Sequence, residues 1–79
     1  MYVNIGGDVI LNAKDVVAVV DAKQMSRSPI NAQFLERSKS ENRFAATMES
    51  EPRTYIIART LIYTSHVSAR TLERRLRTN

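Results

Sequence analysis

Apolar and polar positions alternate from the second residue onward. Tyr2-Val3-Asn4-Ile5 has the period of a strand, Gly6-Gly7-Asp8 is turn chemistry, and Val9-Ile10-Leu11 resumes the apolar pattern. The opening therefore predicts a β-hairpin. After the polar break Asn12-Ala13-Lys14-Asp15, the run Val16-Val17-Ala18-Val19-Val20 is unbroken, mostly β-branched and closed by Asp21. A run of that length and branching predicts a buried strand rather than a helix. Its two faces are both apolar, so both need cover. A helix covers one face, and the other, with Val17 and Val19, is assigned to a neighbouring subunit.

Ser28 followed by Pro29 predicts a helix over 29–40, with the serine as N-cap and the proline at the first helical position. Ile30, Phe34 and Leu35 fall within about 140° of one another on the helical wheel and are expected to face inward. Gln33, Glu36 and Arg37 face away. Arg43–Met48 reads as a strand, Glu49-Ser50-Glu51-Pro52 as a polar loop, and Arg53–Ala58 as a further strand. Arg59-Thr60 turns it back into Leu61–Thr64. Ser65-His66-Val67-Ser68 then caps a last helix over 69–77, with Ala69, Leu72 and Leu76 as its buried stripe. Arg70, Arg74 and Arg77 lie within about 60° on the opposite side. The order is βββ-α-βββ-α, an α+β fold of mainly antiparallel pairing with two helices, in one small domain spanning residues 1–79.

Composition adds a constraint on stability. A chain of 79 residues buries only about 60–65% of the surface exposed when it is unfolded, and small domains of this kind usually carry a staple. Cysteine is absent and His66 is the one histidine, so disulfides, thiolate sites and ordinary zinc sites lack ligands. Self-association is the staple left. No apolar run approaches the roughly 18 residues of a membrane span, and the first residues lack the basic and apolar regions of a signal peptide. A cytoplasmic protein without membrane attachment is expected.

Charge is unevenly placed. Residues 1–52 carry six basic and seven acidic side chains, whereas residues 53–79 carry six arginines against Glu73 alone. A segment of that sign, built wholly from the side chain best suited to bidentate phosphate contact, is the footprint of a polyanion partner. The helix stripe Arg70, Arg74 and Arg77, with Arg53 and Arg59 earlier in the segment, supplies the expected phosphate contacts. Arg75 lies nearer the apolar stripe and is assigned to a subunit contact.

Catalytic chemistry finds little support. His66 lies between serines with no orienting carboxylate in the pattern, and reads as a loop histidine. Gly6-Gly7 is too short for a phosphate loop and lacks the Lys-Ser/Thr that follows one. The carboxylates are scattered rather than paired. Tyr2, Tyr55 and Tyr63 fall on strands, where aromatics stack bases in some single-strand binders but more often pack in the core. No catalytic residue, metal, cofactor or small-molecule substrate is expected.

Several segments together carry a resemblance. They are Met1–Asp8, Lys14–Ala18, Met25–Ile30, Phe34-Leu35, Pro52–Ile57, Ile62–Ser65 and Ser68–Arg75. In this order and spacing they resemble the RemA/RemB family of small bacterial extracellular-matrix regulators, nearer its RemB members. The resemblance implies a DNA-binding regulator of biofilm-matrix genes that forms a ring-shaped homo-oligomer and holds double-stranded DNA through arginines, without a helix-turn-helix. It carries Arg53 over from an arginine-rich loop of the family. The remainder of that loop here is Glu49-Ser50-Glu51-Pro52, and His66 stands where RemB-like sequences tend to have proline. The leading expectation is a transcription regulator acting as an oligomeric ring through arginine–phosphate contacts. The alternative, which the two glutamates favour, is an oligomeric protein-interaction module that touches DNA little.

Overall fold

The hairpin at the start of the chain is the first element in the structure, a computed structural model that describes residues 1–45 and 51–78. Strand β1 (Tyr2–Gly6) pairs antiparallel with β2 (Val9–Asn12), placing Val3 opposite Leu11 and Asn4 opposite Ile10. The alternation sends Val3, Ile5 and Leu11 into the core and leaves Tyr2, Asn4 and Ile10 outside. Both turn glycines have positive φ, 121° at Gly6 and 56° at Gly7, a region that side chains with a Cβ rarely enter. A 3-10 turn, Ala13–Asp15, leads into β3 (Val16–Asp21).

Asp21 ends β3 and also caps α1 (Ala22–Arg27), its carboxylate accepting from the Lys23 N–H at 2.8 Å. This helix is absent from the sequence expectation, because a six-residue segment is too short to show an amphipathic period. Helix α2 (Pro29–Ser40) starts and stops as Ser28 and Pro29 predict. Its end is fixed by Asn42 in the left-handed region (φ 56°), with the Arg43 N–H donating to the Ser38 carbonyl and the Asn42 N–H to the Lys39 carbonyl.

The expected inward face of α2 is corrected. Leu35 is half-buried and Ser38 buried, but Ile30 is 75% exposed and Phe34 also remains exposed. The reason is α1. The buried Met25 of α1 lies beside Leu35 and Tyr55, so α2 is carried outward and Ile30 meets nothing beneath it.

Strands β4 (Thr54–Ala58) and β5 (Ile62–Ser65) complete a second, antiparallel sheet of order β3-β4-β5. The predicted strand over Arg43–Met48 is represented by one parallel bridge, Phe44 to Ile62, flanked by hydrogen bonds from the Ile62 N–H to the Arg43 carbonyl and from the Ala45 N–H to the Ile62 carbonyl. The rest of that strand lies outside the described residues, as do Glu49 and Ser50 of the polar loop. The described order is therefore β-β-β-α-α-β-β-α, an α+β fold with three helices rather than two.

Register decides which side chains share a face. Val19, Ile56 and Tyr63 are cross-strand neighbours. They meet Val3, Ile5, Leu11 and Leu72, the last contributed by α3 (Ala69–Thr78). Tyr55 belongs to the opposite face, beneath α1 and α2. The sheet thus lies between the hairpin and α3 on one side and the α1–α2 pair on the other.

Candidate nucleic-acid interface

Helix α3 is held at its start and along one stripe. The Ser68 hydroxyl accepts from the Thr71 N–H at 3.2 Å, satisfying one of the orphan donors of the first turn. Leu72 is 1% exposed and sits in the core, with Leu76 half-buried beyond it. With that stripe fixed, the spacing of 3.6 residues per turn turns Arg70, Arg74 and Arg77 outward, and all three are exposed. From Arg70 to Arg77 the axis advances about 10 Å, at 1.5 Å per residue, a span of two or three phosphates.

Two contacts modify this stripe. The Glu73 carboxylate lies 3.8 Å from the Arg77 guanidinium, one turn away on the same helix, so Arg77 is partly neutralised. Arg75 donates from Nη1 to the Asn4 carbonyl at 2.9 Å and so ties α3 to β1 of its own chain.

The remaining expected contacts are apart from one another. Arg53 is exposed just before β4, where its backbone N–H donates to the Ser65 carbonyl and its own carbonyl accepts from the Ala22 N–H, both at 2.9 Å. Arg59 is in the β4–β5 turn, its Nε 4.0 Å from the Asp15 carboxylate. Strand β4 separates them by about 20 Å at roughly 3.3 Å per residue. Arg53 stands at the end of the sheet from which the chain leaves for α3, near Arg70. Arg59 stands at the other end, with Asp15. The structure therefore groups Arg53 with the helix stripe and sets Arg59 away from its start.

The three tyrosines form no shared stacking platform. Tyr2 is exposed on the hairpin, Tyr55 packs edge-to-face on Phe44 at 6.5 Å between ring centres, and Tyr63 lies against the core on the other face of the sheet. His66 is exposed in the connection to α3. Among the described residues no three His, Asp or Glu side chains gather as metal ligands, and no helix is long and apolar enough to cross a membrane.

Val17 and Val19, expected at a subunit contact, line an open groove of about 400 Å³ between β3 and α3. Its other walls are Ala13, Val16, Ala18 and Leu76, with Glu73 and Arg77 at the rim. Sequence reading missed this groove because it needs the relative placement of two elements about fifty residues apart. The only local signal was the two-faced apolar run.

A small two-sheet α+β domain that presents a basic helix over an apolar stripe is a class in which binding surfaces, not clefts, stand out. The sequence model of the RemA-like family, described as extracellular matrix regulatory protein A-like, matches residues 2–76, and the chain belongs to this family. It is also similar to extracellular matrix regulatory protein B of Bacillus subtilis (strain 168), with 29% identity over 75 residues that cover 95% of this chain and 89% of that protein.

Proposed function

We propose that the chain is a cytoplasmic, DNA-binding regulator of extracellular-matrix genes that works as a homo-oligomer and has no catalytic role. The observation that carries this reading is the outward stripe Arg70–Arg74–Arg77 on a helix anchored through Leu72. Membership of an extracellular-matrix regulator family supports it. Guanidinium groups on phosphates release counterions, so affinity falls steeply with salt and depends little on base sequence. Selectivity then comes from repeated sites and from how easily the DNA bends. One chain offers few phosphate contacts, and linked copies multiply them.

A second reading is an oligomeric interaction module with little direct DNA contact. It is favoured by acidic neighbours of the arginines: Glu73 beside Arg77, Asp15 beside Arg59, and the exposed Glu51 two residues from Arg53. The test is a salt series of duplex-DNA binding with Arg70→Ala/Arg74→Ala/Arg77→Ala, its oligomer mass matched to wild type. A DNA-binding regulator loses affinity uniformly across sequences and shows a flatter salt dependence. Unchanged affinity and slope give the interaction-module reading.

A further inference from the structure

Two apolar features of this chain face different directions and are complementary in shape and charge. The first is the groove beside β3. Strand β3 is the terminal strand of its sheet, pairs only with β4, and carries no Lys or Pro over Val16–Asp21 to discourage pairing. Val17 on this strand is 68% exposed. The groove walls are valine, alanine and leucine, and its rim is acidic through Glu73 and, between Ala13 and Val16, Asp15.

The second feature is the outer ridge of α2. Ile30 and Phe34 stand one turn apart, exposed, with Arg37 a further turn along and Gln33 beside them. The ridge and the groove share no residue. The ridge belongs to the helix pair on the Tyr55 face of the sheet, whereas the groove opens at the β3 edge next to α3, so one chain cannot fill its own groove. A large exposed aliphatic and an aromatic on one helix face are the anchors of a helix-in-groove contact.

We infer that the chain associates head to tail with a second copy, the Ile30–Phe34 ridge of one seating in the β3–α3 groove of the next, with Arg37 toward Glu73 and Asp15. The inference rests on the homo-oligomer reading above and deepens it by naming both surfaces. Because the two surfaces differ, the contact is heterologous and repeats: each copy offers a free ridge at one end and a free groove at the other, which gives a closed ring or an open filament rather than a two-fold dimer.

The chain contains no cysteine, so single-cysteine variants report on one contact each. Val17→Cys and Phe34→Cys are both at exposed positions. A mixture of the two variants, oxidised mildly, is expected to give the 17–34 crosslinked dimer, and neither variant alone is expected to crosslink. Charge variants give an independent check. Val17→Glu closes the groove and Phe34→Glu spoils the ridge, so each alone falls to chain mass by light scattering, with unchanged circular dichroism. Mixed, they restore one good surface pair and form a species of twice the chain mass and no larger. Crosslinking of Val17→Cys with itself overturns the inference in favour of symmetric β3 pairing and leaves the homo-oligomer reading standing. An unmodified chain with oligomer mass but no 17–34 crosslink likewise overturns this interface alone. A monomeric unmodified chain at micromolar concentration overturns both.

Discussion

Ser65 and Gly6 touch across the junction of the two sheets: a Cβ built on Gly6 would lie 3.0 Å from the Ser65 Oγ. The buried serine donates to the Ile5 carbonyl and accepts from the Val67 N–H at 2.9 Å, so one hydroxyl joins the hairpin, the end of β5 and the approach to α3. Gly6 also has φ 121°, whereas Gly7, at φ 56°, has nothing within 4 Å of a Cβ position. Gly6→Ala is expected to cost about 1–3 kcal/mol, since strain and crowding act together. Gly7→Asn should cost less than about 1 kcal/mol, because asparagine tolerates the left-handed region. Ser65→Ala leaves the Ile5 carbonyl and the Val67 N–H without their partner and should cost about 1–3 kcal/mol. Urea midpoints at one fixed protein concentration check all three, and a Gly7 loss equal to that at Gly6 would contradict this account of the junction.

Leu72 fixes the orientation of the arginine stripe. Its side chain is buried with Val3, Ile5, Leu11 and Ile56, so truncation removes contacts with both sheets at once. Leu72→Ala should cost about 2–4 kcal/mol, a large-to-small core penalty, and Leu76→Ala clearly less because that side chain is only half-buried. A Leu72 loss below about 1 kcal/mol in urea unfolding would show that α3 is not packed on this stripe.

Arg75 separates an intrachain role from a subunit role. Its hydrogen bond to the Asn4 carbonyl spans 71 positions in sequence and is exposed to water. Removing it by Arg75→Ala should cost about 0.5–1 kcal/mol, in the lower part of the range for a single hydrogen bond. If the contact with β1 is its whole role, light scattering gives the wild-type mass. A fall in mass without a fall in the urea midpoint assigns the arginine to a neighbouring subunit instead.

What the sequence made legible follows from how local each signal is. Ser28-Pro29 marks the start of α2 because capping is a contact within one turn, and the turn glycines mark the hairpin for the same reason. Apolar spacing in α3 predicts both the buried Leu72 and the outward Arg70, Arg74 and Arg77, since one fixed stripe determines its opposite. Periodicity does not say whether a face finds cover. Ile30, Phe34 and Leu35 form a face as read, yet α1 displaces it and leaves Ile30 and Phe34 outside. Helix α1 itself announced only its cap, Asp21, which the pattern assigned to the end of a strand. The Phe44–Ile62 bridge and the Arg75–Asn4 bond join residues 18 and 71 positions apart, and no spacing rule reaches across such separations.

Within the arginine stripe the contributions to DNA binding should be unequal, and the order tests the proposed interface directly. Arg77 has the Glu73 carboxylate at 3.8 Å, so a phosphate must compete with an ion pair already formed on the helix. Arg70 is exposed in the first turn, where the helix dipole favours anions and Arg53 stands close by at the start of β4. Both substitutions remove one formal charge, so a purely long-range effect of net charge would weaken binding equally. Contact with phosphate predicts instead that Arg70→Ala loses more affinity than Arg77→Ala and flattens the salt dependence by up to about 0.9 in slope per phosphate contact given up. Arg53→Ala should follow Arg70, and Arg59→Ala, at the far end of β4 beside Asp15, should have the smallest effect of the four. Fluorescence anisotropy on one duplex from low to physiological salt, with oligomer mass matched, measures the order. Equal losses would reduce the stripe to a general positive field, and a larger loss at Arg77 or Arg59 would move the interface to the other end of α3.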